Sequence, residues 1–164
     1  MKRLLLSAAF GALAASCVLP SMAADGRIDF NGGIGSQPFA SAGGAVVAND
    51  VRGVQPGGRP WVIGRLRAVV RPDNSILVKG EGLVLGGGNA VGTPAIPRQV
   101  VATLFCGAVE FNSAAVDLDA NGDFLIRSPL SGAVPNPCAT PTLLIRNFAA
   151  GAAGAWFAAG ILEN

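Results

Sequence analysis

The run WVIGRLRAVVRPDNSILVKGEGLVL, Trp61 to Leu85, constrains the fold more than any other stretch. It is β-branched and apolar on both sides of Pro-Asp-Asn-Ser. Such a run reads as two strands joined by a turn, because branched side chains pack well on a pleated surface and poorly on a helix. Side chains alternate across a strand. Val62, Gly64, Leu66, Ala68 and Val70 therefore share one face, the expected core face. Ile63, Arg65, Arg67, Val69 and Arg71 share the other. The returning strand puts Lys79 and Glu81 on one face. The arginine face meets Glu81 only if the turn has an odd residue count, for example three residues with a bulge.

The pattern continues to the C-terminus. Gly86 to Pro97 is a long glycine-rich loop, and Gln99 to Cys106 (QVVATLFC) is an almost unbroken apolar run, typical of a buried strand. Val109 to Leu118 and Asp123 to Arg127 read as strands around a turn. Ala133 to Pro141 is extended and punctuated by proline. Thr142 to Arg146 and Ala155 to Leu162 close the chain. Ala149 to Ala159 is alanine-rich, but Gly151, Gly154 and Gly160 oppose a helix there by up to ~1 kcal/mol each. These segments make about seven short strands and no convincing amphipathic helix. The predicted fold is all-β, an antiparallel β-sandwich with the strand count of an immunoglobulin-like domain and one disulfide.

Upstream, residues 24–60 are poor in large side chains. NGGIGSQPFASAGGAVVANDVRGVQPGGRP carries 8 glycines and 3 prolines. Ordering such a segment costs backbone entropy with little burial to offset it. It reads as a flexible N-terminal arm, with short strands at Arg27 to Phe30 and Ala45 to Val51, ahead of a sandwich domain over 61–164.

The first 23 residues read as a secretory signal peptide. Lys2 and Arg3 precede an apolar run to Leu19, and Ser21-Met22-Ala23 supplies small residues before a cleavage point. The run is too short and too rich in alanine and serine to favour a transmembrane span. Ala14-Ala15-Ser16-Cys17 offers a rival lipoprotein reading, against which stands the missing large aliphatic residue at Ala14. Cleavage leaves about 140 residues, enough for one domain. Lys2 and Arg3 leave with the signal, so 10 of 12 basic residues remain against 10 acidic ones. A neutral exported chain has no long-range pull on nucleic acid or anionic lipid. The expected location is periplasmic or extracellular.

After cleavage the cysteines are Cys106 and Cys138. An even pair in an exported chain reads as a structural disulfide. It closes a loop of about 32 residues, worth roughly 3–4 kcal/mol on chain-entropy arithmetic.

Candidate chemistry is sparse. There is no histidine, which excludes Ser-His-Asp and Cys-His catalysis and His-ligated metal sites, and no tyrosine. The only lysine left after cleavage, Lys79, lies about 13 Å along a strand from Ser75, so no Ser-Lys dyad forms between them. GLVLGGGNAVG, Gly82 to Gly92, has the glycines of a phosphate loop but lacks the Lys-Ser/Thr of a P-loop, and no helix follows. It reads as a flexible loop between strands. Arg65, Arg67 and Arg71 line one strand face at roughly 7 Å intervals. With Trp61 they form a candidate contact for an anion or an acidic glycan, since guanidinium pairs bidentately with carboxylate, sulfate or phosphate.

VDLDANGDFLI, Val116 to Ile126, matches the first half of a calcium loop. Asp117, Asp119 and Asn121 fall at positions 1, 3 and 5, and Gly122 at the sharp turn. Position 12 is Ser128, where a bidentate glutamate is needed, and the flanks read as strands, so the segment is not an EF-hand. The favoured reading is a turn, Asp119-Ala120-Asn121-Gly122, between two strands. A calcium site built from Asp117, Asp119, Asn121 and Asp123 is the alternative.

The function expected from sequence is binding or an envelope-structural role without catalysis, with another envelope protein or a glycan as partner. The alternatives are a calcium-stabilised adhesion module and a carboxylate-dependent hydrolase, for which Glu81, Glu110 and the acids of Asp117 to Asp123 are candidates by residue type only.

Overall fold

The computed structural model describes residues 26–95 and 98–163. The signal-peptide reading, with Cys17 and Ser21-Met22-Ala23, lies outside the described residues. Those residues contain no helix and thirteen strands: β1 (Ile28–Gly35), β2 (Phe39–Ala42), β3 (Ala45–Ala48), β4 (Trp61–Val62), β5 (Arg65–Val70), β6 (Ser75–Glu81), β7 (Val84–Leu85), β8 (Gln99–Cys106), β9 (Val109–Asn112), β10 (Val116–Asp117), β11 (Phe124–Pro129), β12 (Thr142–Ala149) and β13 (Ala152–Leu162). The fold is all-β and its strands pair antiparallel, as expected.

Nine strands form one sheet in the order β10-β8-β12-β13-β1-β5-β6-β11, with β9 also on β8. The sheet curls into a half-barrel, and its two ends approach each other. Ser131 N–H donates to the Asn112 carbonyl at 2.8 Å, and Ala114 N–H donates to Ser128 Oγ at 2.9 Å. These bonds cover backbone that an open sheet would leave bare.

Alternation sets the interior. Leu66, Ala68 and Val70 of β5, Ile76 and Val78 of β6, and Phe124 and Ile126 of β11 are buried, while Arg65, Arg67, Lys79, Leu125 and Arg127 face solvent. The β5–β6 turn has the odd count that the arginine face requires. Arg71 N–H donates to the Ser75 carbonyl around Pro72-Asp73-Asn74, Asn74 has φ 63°, and Arg65 lies opposite Glu81. Gly80 lies opposite Phe124, and a Cβ there would overlap the phenyl ring.

Two parts of the sequence reading change. Alternation predicts Val62 inside, yet Trp61 is buried and Val62 is 44% exposed. The chain breaks at Ile63-Gly64, and β4 leaves the main sheet to pair with β7. The second change concerns the glycine-rich segment. Residues 28–35 form an interior strand between β13 and β5, with Phe30 buried in the core. Small residues suit this position: a side chain at Gly33 or Gly35 would meet Leu66 or the Trp61 backbone.

Residues further along the same segment cover the outer face of β12 and β13. Val51 and Val54 pack on a cluster of Phe105, Leu144 and Trp156, and Trp156 Nε1 donates to the Asn49 carbonyl at 3.2 Å. This second apolar layer covers Phe105 of β8, a strand that is buried from Val100 to Cys106 without alternation. Cys106 and Cys138 form the expected disulfide, with Cα atoms 5.0 Å apart.

Candidate functional site

The arginine row lies on the outside of β5 and the turn beyond it. Arg65 and Lys79 both reach Glu81, at 3.3 and 2.7 Å. The Lys79 hydrogen bond, then its charge and that of Arg65, hold the Glu81 carboxyl below the usual range. Arg71 Nη1 approaches Ser75 Oγ at 3.5 Å. The row is thus a solvated strand face, partly neutralised by Glu81.

The Asp119 carboxylate organises its own turn. One oxygen accepts the N–H groups of Asn121 and Asp123, each at 2.8 Å. Asp123 Oδ1 accepts Gly82 N–H at 2.8 Å, tying the turn to the end of β6. Gly122 has φ 80°, and a Cβ there would overlap the Leu83 backbone. Asp117 sits on β10 opposite Gln99. No group of three or more His, Cys, Asp or Glu among the described residues is placed to hold a metal ion.

Trp61 belongs to a different constellation. Its indole stacks on Phe157 of β13, with ring centroids 4.1 Å apart. Arg98, at the entrance to β8, lies over both rings, 5.3 Å from Trp61 and 5.2 Å from Phe157. Arg98 Nη1 donates to Asn147 Oδ1 at 2.9 Å. Burial lowers the Arg98 pKa. No carboxylate among the described residues forms an ion pair with it. Arg59, Gly58, Leu85 and Ala95 complete a pocket of about 430 Å³ beside the aromatic pair.

Two buried side-chain polar atoms among the described residues lack a hydrogen-bond partner, Arg98 Nε and Ser36 Oγ. Both residues adjoin the Trp61–Phe157 pair. Ser36 N–H donates to the Phe157 carbonyl and the Ser36 carbonyl accepts Trp61 N–H, both at 2.8 Å. Orphaned buried polar atoms are uncommon in a folded chain, and their location is informative. Aromatic faces favour a guanidinium by about 0.5–1 kcal/mol at an exposed site and by about 2 kcal/mol or more when it is desolvated. That leaves its charge without an anion.

Arg146 provides a contrast. It is 8% exposed, yet well engaged: Nε donates to the Gly154 carbonyl, Nη2 to the Ala153 carbonyl and Nη1 to Glu110 Oε2, at 2.8, 2.9 and 3.0 Å. These bonds hold the irregular pairing of β12 with β13. Arg146 is satisfied within the fold, whereas Arg98 is not.

Sequence reasoning named Trp61 but missed Arg98, Arg59, Phe157 and Ser36. Arg98 is a lone cation before an apolar strand, a weak signal, and its proximity to Trp61 arises only from strand order. No family model, curated protein or solved structure matches this chain, so the chemistry of the site rests on its own residues.

Proposed function

We propose that the protein is an exported, non-enzymatic binding module whose pocket at Arg98, Arg59, Trp61 and Phe157 takes an anionic saccharide. The observation that carries this reading is the Arg98 guanidinium, held over two aromatic rings with no carboxylate partner among the described residues. A partly buried cation is costly until paired, so an incoming carboxylate or sulfate gains more here than at the solvated arginine row. The pocket has the size of a small-molecule site and a mixed apolar and cationic lining. The lack of histidine and the N-terminal signal pattern support a binding role outside the cytoplasm.

Isothermal titration calorimetry with glucuronate, a sulfated glucose and neutral glucose tests the proposal. Both anionic sugars are expected to bind and glucose to give no heat. Arg98→Met keeps the stacked length without the charge and is expected to abolish binding, while Arg67→Met leaves it unchanged. Absence of binding by either anion at millimolar concentration, or equal binding to Arg98→Met, contradicts the reading.

A further inference from the structure

The β2–β3 hairpin is exposed at every position of both strands. Phe39 and Val46 are 68% and 76% exposed. No charged residue occurs from Ser36 to Asn49. The two strands form a sheet of their own, with neither outer edge paired to another strand among the described residues. Isolated two-stranded hairpins are marginal in water.

The turn defines the free edges. Gly43 and Gly44 have φ 57° and 82°, which makes a tight two-residue turn flanked by Ala42 and Ala45. In antiparallel pairing, inward and outward backbone groups alternate. Ala42 with Ala45 and Ala40 with Val47 face inward, and Asn49 N–H continues the series to the Pro38 carbonyl at 3.3 Å. The backbone groups of Val46 and Ala48 therefore point outward from β3, as do those of Phe39 and Ser41 from β2.

We infer that β3 is a self-association edge, pairing antiparallel with β3 of a second copy about a two-fold axis through Val47. Val46 of one copy then exchanges both backbone hydrogen bonds with Ala48 of the other, and the symmetry repeats the exchange. The two Val47 side chains meet across the axis, a favourable β-branched pair. Pairing through β2 would centre on Ala40 and lack that contact. Three observations select a second copy. Unpaired backbone requires a strand edge, which lipid does not supply. The hairpin is uncharged, so it selects no oppositely charged partner. The chain after residue 23 balances 10 basic against 10 acidic residues, so copies carry no net repulsion. Four-residue edges fall well short of the roughly 1,200 Å² of a standard interface, so the association is reversible.

Sedimentation of the protein over a wide concentration range reads this directly. The average mass is expected to rise toward twice the monomer at high concentration. Ala48→Pro removes an outward N–H while sparing the inward ladder, and it is expected to remain monomeric with an unchanged melting midpoint. Phe39→Ser, which lowers apolarity without touching the edge, is expected to keep association within about threefold of the parent. Hydrogen exchange supplies a readout independent of variant folding: Val46 and Ala48 amides slow as concentration rises, while Val47 does not change. A monomer throughout, an Ala48→Pro protein that associates like the parent, or a monomer that floats with neutral phosphatidylcholine vesicles overturns the inference.

Discussion

Asp119→Ala separates a turn held by its own carboxylate from a calcium site. The substitution leaves the N–H groups of Asn121 and Asp123 without their acceptor, two bonds of 2.8 Å. Asp119 is exposed, so water replaces part of each bond. By analogy with side-chain caps of backbone N–H groups, the combined loss is about 1–2 kcal/mol. For a domain of about 140 residues this is a fall of roughly 3–8 °C in melting midpoint. Differential scanning calorimetry in chelator and in millimolar calcium measures it. The expected result is the same fall in both buffers, with a parent midpoint that calcium does not move. Asp119→Asn retains the acceptor oxygen and recovers most of the loss. The reasoning fails if Asp119→Ala is neutral in chelator but removes a calcium-dependent rise in the parent.

Phe30→Ala tests the interior placement of β1: removal of a buried phenyl is expected to cost about 3–5 kcal/mol in urea unfolding, whereas a flexible arm would tolerate it. Arg146→Met removes the side-chain donor to the Ala153 and Gly154 carbonyls and leaves Glu110 with Asn112 alone, with an expected loss of about 2–3 kcal/mol; Glu110→Gln, on the exposed side of the pair, costs less. Glu81 has a folded pKa below the ordinary 4.5 of a glutamate, so its contribution is present above that value and disappears as pH falls through the lower folded pKa. Melting midpoints from pH 6 to about 3 are expected to decline less steeply in Glu81→Gln than in the parent.

Strand identity was legible where local chemistry decides it. Alternation in Leu66, Ala68 and Val70 marked a core face, and the odd turn needed to join Arg65 to Glu81 is the one observed. The pairing of Cys106 with Cys138 followed from there being two thiols after the signal pattern. Long-range order was not legible. Nothing local indicates that Ile28 to Gly35 inserts between β13 and β5, because glycine-rich sequence signals entropy cost and not the close approach that makes glycine suitable. The binding pocket was hidden for the same reason: Trp61, Arg98 and Phe157 come from segments that are distant in sequence, and the break at Ile63-Gly64 reverses the face on which Trp61 lies.

The most direct test of an unneutralised Arg98 is its own Nε–H resonance in a nitrogen-15 correlation spectrum. A buried group without an acceptor is expected to give a resolved signal, assigned by its loss in Arg98→Met, that shifts saturably with glucuronate and stays fixed with glucose. A signal that ignores both sugars would show that the guanidinium is a packing element and that the pocket takes no anion.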